Sequence, residues 1–138
     1  RIRDQFFPGE PIVQSLEYIT MRDGDILSRT TLARSTESDE ADRPSLARFH
    51  VTKDGNLVVL AQFTSPDSST HRSSYRLAQV LPDGKVSDWQ DVPFHSPIAG
   101  TFLTNTVRGG SAPSDIIDIV GMSPRTPNTL GYARVRLG

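Results

Sequence analysis

Cysteine is absent from this 138-residue chain, which removes disulfides, thiolate catalysis and thiolate metal sites together. No run of 18 apolar residues occurs, so a membrane-crossing helix is excluded and no membrane partner is expected. An excess of one charge is missing too. Fifteen basic residues face sixteen acidic ones, a net charge of −1, and no broad field draws the chain to nucleic acid. Helical periodicity is equally scarce. No window of about 11 residues carries an apolar stripe at i, i+3, i+4, i+7 free of glycine or proline. Ten glycines and ten prolines punctuate the chain at short intervals instead.

Turns flanked by short apolar runs are what the sequence does have. "MRDGDILS", "TKDGNLVVLAQF" and "LPDGKVSDW" each centre on an Asp-Gly pair, and the second and third follow at intervals of 31 and 29 residues. Glycine accepts positive φ without steric cost and aspartate tolerates it better than most, so each pair reads as a two-residue hairpin turn. The flanking strands are expected over 16–21 and 26–33, 48–52 and 57–63, and 75–81 and 86–92. Three more are expected over 102–107, 116–122 and 130–137. About nine short strands and no helix make the fold class all-β.

Two of these strands differ in kind. "LVVLAQF" is apolar on both faces and reads as a strand buried between layers. "YARVRL" alternates, with Ala133, Val135 and Leu137 on one side and Tyr132, Arg134 and Arg136 on the other, as in a half-wet strand near an edge. The polar stretches 35–44 and 65–74 are too long for hairpin turns but too short for a domain linker, so residues 1–138 are read as one all-β unit.

Repeated hairpins joined by longer loops suggest radial stacking, as in a β-propeller. A blade needs four strands and roughly 40 to 50 residues, so the chain holds about three blades, a partial β-propeller that cannot close a ring. The remaining propeller blades are expected from another segment or chain, and the unit, which starts "RIRDQFF" without a Met or signal peptide, is read as a fragment of a larger propeller. A β-sandwich of about nine strands is the alternative that needs no partner.

The blocks "DRPSLARFHVTKDGNLVVLAQF", "YRLAQVLPDGKVSDWQDVPF", "TFLTNTVRGGSAPSDIIDIVG" and "LGYARVRL" together resemble the C-terminal blades of bacterial BNR-repeat-like β-propellers. That group includes sialidase-like proteins and propeller-type polysaccharide lyases. The likeness runs from about Asp42 to Leu137 and lies in the order of blocks. It departs from the sialidase pattern: the Ser-x-Asp-x-Gly-x-Thr-Trp box is missing, since "VSDWQ" offers Ser87, Asp88 and Trp89 without the glycine or the spacing. Neither an arginine triad nor a Tyr-Glu pair can be placed, so sialidase activity is not carried over. The resemblance implies a secreted or periplasmic propeller surface that meets polysaccharide or oligosaccharide.

On an acidic polysaccharide the corresponding chemistry is β-elimination. A lyase neutralises a uronate carboxylate with Arg or His, and a His or Tyr removes the neighbouring proton and protonates the leaving oxygen. In "RPSLARFHV", Arg48 and His50 share one face of a strand, with Phe49 and Val51 on the other. "HRSSYR" brings Arg72 and Tyr75 close behind a loop. "TNTVRGG" sets Asn105 and Arg108 before two glycines that let backbone approach a ligand. His50 and Tyr75 are accordingly the proton-transfer candidates, and Arg43, Arg48, Arg72, His95, Asn105 and Arg108 the substrate-binding ones. For each a structural role is the competing reading, such as His50 packed at a blade edge or Tyr75 filling a core position; Trp89 could stack on a sugar ring but is read as a blade-packing residue.

No metal or cofactor is expected. His50, His71 and His95 lack a metal-ligand spacing, and the acidic cluster of Glu37, Asp39, Glu40 and Asp42 lacks the EF-hand pattern and reads as a solvated loop. The leading expectation is a carbohydrate-active propeller segment with lyase activity. A non-catalytic glycan-binding module and blades with a purely assembly role are the alternatives.

Overall fold

A computed structural model of the chain describes residues 5–66, 72–96, 98–104, 112–123, 126 and 128–138. Nine strands follow in order: β1 (Val13–Arg22), β2 (Asp25–Thr36), β3 (Arg43–Val51), β4 (Leu57–Thr64), β5 (Ser73–Val80), β6 (Gln90–Asp91), β7 (Ala99–Thr104), β8 (Ile116–Met122) and β9 (Leu130–Arg136). They form three antiparallel sheets in chain order: the hairpin β1-β2, the four-stranded meander β3-β4-β5-β6 and the three-stranded meander β7-β8-β9. The all-β reading holds, and none of the three sheets closes on itself.

Only the first Asp-Gly pair makes the two-residue turn that the sequence suggests. Asp23 and Gly24 both have positive φ, 54° and 93°, directly between the paired residues Arg22 and Asp25. That combination matches the twist of the flanking strands. The other two pairs belong to three-residue loops. Gly55 N donates to Thr52 O and Thr52 N to Asn56 O, both at 2.9 Å, and Gly84 and Leu81 repeat the pattern with Leu81 and Lys85. In both loops the glycine alone takes positive φ, 80° and 82°, while the aspartate does not.

Two strands depart most from expectation, for local reasons, and of the strand expected over 102–107 the described residues include only 102–104. β3 begins five residues early and runs through Pro44, which an edge strand tolerates where its register shifts, here between Pro44 and Leu46. β6 keeps two residues of an expected seven. Val86 bridges Val80, but the Ser87 hydroxyl then accepts the Gln79 amide hydrogen and interrupts the ladder. Trp89 turns onto Phe63, ring centroids 5.4 Å apart and nearly perpendicular.

The three sheets stack face to face because β4 has no wet side. Val59, Leu60 and Ala61 are fully buried. Alternation sends Val58 and Leu60 toward the third sheet, where they join Tyr75, Ile98, Phe102, Ile117 and Ile119. Val59, with Ala78 and Val80, packs against Leu32 of the first sheet, flanked by Leu16 and Tyr18. The middle sheet is thus covered on both faces.

The central pair of β8 and β9 differs in chemistry from that of β4 and β5. Leu60 pairs with Leu77 in the middle sheet, and Asp118 pairs with Arg134 in the third. Ile117 and Ile119 face inward, whereas Asp118 looks outward and accepts from Arg134 Nε and the Tyr132 hydroxyl, both at 2.6 Å. Those donors hold the Asp118 carboxyl below its ordinary value of 3.8, Arg134 contributing most, and the same bond raises the Tyr132 phenol.

Truncating Leu60 to alanine removes a side chain that both layers enclose. It is expected to cost about 2–5 kcal/mol in urea unfolding, whereas a cost under about 1 kcal/mol would mean that the layers relax around the gap. A depressed carboxyl stabilises the fold above its ordinary value and loses that effect as pH falls through its folded value. The stability difference between wild type and Asp118→Asn is therefore expected at neutral pH and should vanish in acid well below 3.8.

Candidate functional site

At one end of the middle sheet, where β5 begins and the chain leaves β6, lies an open groove of about 530 Å³. Asp42, Ser65, Arg72, Ser74, Arg76 and Phe94 are among its lining residues. Its frame is a charged network. Arg76 donates to Asp42 at 2.6 Å and to Asp91 at 3.1 Å, while its guanidinium lies over the Phe63 ring, 4.5 Å from the centroid. Ser74 Oγ adds a 3.3 Å bond to Asp42. A guanidinium engaged by two carboxylates and an aromatic face is fixed in place.

Arg72 differs from it. It is exposed in the groove and makes no ion pair with any described residue. The two carboxylates and Arg76 sum to one negative charge, which Arg72 balances. Within the groove the exposed cation without an ion pair is Arg72, which shares the lining with serine hydroxyls and Phe94.

Arg43 stands at this same end, in the row Arg43–Thr64–Ser73. It donates to the Glu37 carbonyl at 3.1 Å, and its buried Nε has no partner among the described residues. His95 is exposed and follows Phe94 directly. Tyr75 lines the groove at its floor and begins the core beneath it. It is 4% exposed, packed between Phe94 and Phe102, and its hydroxyl accepts from Gln62 Nε2 at 3.1 Å and donates to the Ile98 carbonyl at 2.9 Å. Burial pushes the phenol up to about 12.

Arg48 and His50 do share a face, and that face is turned against the third sheet. Arg48 lies 5.7 Å from the centroid of Phe102 and donates to the Ala47 carbonyl. His50 is 3% exposed, and its Nε2 donates to the Ser114 carbonyl at 2.6 Å. Its Nδ1 is enclosed without a partner among the described residues. His50 also sits seven residues along β3 from Arg43, roughly 20 Å from the groove end. A proton-transfer role for His50 or Tyr75 requires either side chain to give up these bonds and reach solvent. Asn105 and Arg108 lie outside the described residues.

The structure thus gathers Arg43, Arg72 and His95 toward one end, with Tyr75 beneath, and separates Arg48 and His50 from them. Asp42, Ser74, Arg76 and Asp91 complete the groove and were not singled out as ligand contacts by sequence reasoning. Their signal was weak: Arg76 and Asp91 become neighbours only through the β5-β6 register. Among the described residues no group of three or more His, Asp or Glu side chains is placed to hold a metal ion.

No protein-family model matches the chain, and no curated protein or solved structure matches it significantly.

Replacing Tyr75 by phenylalanine leaves Gln62 and the Ile98 carbonyl without their shared partner in the core. The expected cost is about 1–3 kcal/mol in urea unfolding. An unchanged midpoint would show that the hydroxyl does not join the two sheets.

Proposed function

We propose that this chain supplies successive blades of a bacterial β-propeller, secreted or periplasmic, that binds acidic glycan along the Arg72 groove. Support for the blade reading comes from a hairpin and two meander sheets stacked in chain order with the middle one covered on both faces. Further blades from another segment or chain then cover the outer faces. On the first sheet the exposed Ile19, Met21 and Ile26 suit that role.

The observation that carries the ligand reading is the unpaired Arg72 guanidinium beside a fixed acid–base frame. A uronate carboxylate accepts two parallel hydrogen bonds from a guanidinium. Sugar hydroxyls donate to Asp42 and Asp91 and accept from the serines, and a ring face lies against Phe94. These are the few placed polar groups and the apolar wall that small-ligand sites use.

β-Elimination draws less support from this arrangement. It needs a group near the sugar that exchanges a proton at working pH. Tyr75 is buried and bonded at its hydroxyl, and His50 lies in the interface between two sheets. Glycan binding without turnover is the reading that the groove fits better.

Calorimetric titration with an oligogalacturonate is expected to give saturable binding that Arg72→Ala weakens by about tenfold or more, with the melting temperature unchanged. A neutral oligoglucan should bind less well, and no unsaturated, ultraviolet-absorbing sugar should form. Binding unaffected by loss of Arg72, or no saturable binding at all, would remove the proposal. Release of unsaturated products would restore the lyase.

A further inference from the structure

The two meander sheets end differently. On β5 the outward backbone groups are in use: the Tyr75 carbonyl accepts from Val92 N at 2.8 Å and the Gln79 carbonyl from Ser87 N at 2.9 Å. β9 holds the same place in its own sheet, and its register with β8 settles which of its groups are free. Leu137 N donates to Asp115 O and Ser123 N to Thr129 O, at 2.8 and 2.9 Å, so the odd-numbered residues between them are the ones bonded to β8. An antiparallel ladder alternates. Backbone N–H and C=O of Tyr132, Arg134 and Arg136 therefore point to the open side, where no strand lies among the described residues.

A groove of about 540 Å³ lies at the end of this edge, between residues 135–138 and the 87–93 segment. Leu77, Val92, Val135 and Leu137 give it an apolar lining. Arg136 is at its rim and makes no ion pair with any described residue.

The geometry points to β9 as the acceptor edge for an extended polypeptide segment of alternating acidic and apolar residues, which adds as a fourth antiparallel strand. Main-chain hydrogen bonds to Tyr132, Arg134 and Arg136 supply affinity, and alternate side chains supply selectivity. The residue opposite Arg136 stands on the same face as that unpaired guanidinium and is acidic, and an acid opposite Arg134 would share its guanidinium with Asp118. The residue opposite Val135 points to the other face, toward Leu77 and Val92, and is apolar. The same two arginines disfavour a second β9 as occupant, because like charges would then stand across the new ladder. This inference uses the ladder and the groove alone and is independent of the glycan reading.

The test is amide hydrogen exchange of the whole chain, read by heteronuclear NMR, with the peptide acetyl-Thr-Glu-Val-Glu-Val-Thr-amide in excess. Exchange at Tyr132, Arg134 and Arg136 is expected to slow by about tenfold or more, while Ala133 and Val135, already bonded to β8, stay as they were. The lysine counterpart, acetyl-Thr-Lys-Val-Lys-Val-Thr-amide, should give no protection. Arg136→Pro removes one outward N–H and the charge without breaking a bond to β8, so it should keep the fold and lose the peptide. No slowing at the three even-numbered amides, equal protection by the lysine peptide, or undiminished binding to Arg136→Pro would each overturn the proposal.

Discussion

The stack depends on the burial of β4 on both of its faces. Each side chain from Val58 to Phe63 enters one of two interfaces, so the middle sheet has no solvent side on which to rest alone. Apolar area removed from water supplies about 25 cal/mol per Å², and here one strand collects it twice. Both neighbouring sheets are therefore held by the same strand, and polar residues are driven to the ends and edges of the sheets. The Tyr75 hydroxyl adds direction to this contact: it joins Gln62 of β4 to the backbone at Ile98, just ahead of β7.

The same packing separates three kinds of arginine. Arg76 is spent on structure, clamped by Asp42 and Asp91 above the Phe63 ring. Arg72, four residues earlier, lies beyond the start of β5 and keeps its charge for whatever enters the groove. Arg48 shows the third outcome, a guanidinium drawn over Phe102 inside an interface. Position along a strand relative to the buried middle decides among these fates, because all three side chains have the same chemistry.

Much of the architecture was legible in the chain. "LVVLAQF" announced a strand without a wet face, and "YARVRL" announced one with alternating faces; both are as the pattern says. The turns were legible in place but not in type, since only Asp23 joins its glycine at positive φ. β6 was overcalled because a serine hydroxyl competing for one ladder bond leaves no trace in a period of two. For the site, alternation correctly put Arg48 and His50 on a common face. It carries no information on whether another sheet covers that face, and here the third sheet does. The Asp42–Arg76–Asp91 frame spans nearly 50 residues of sequence and exists only once the meander has folded.

The third sheet carries Asp118, Arg134 and Tyr132 where the middle sheet carries Leu60, Leu77 and Tyr75. An ion pair in place of two leucines changes what can lie against that surface. A purely apolar surface laid there would strand the carboxylate and guanidinium away from water, a cost that only new hydrogen bonds to them would offset.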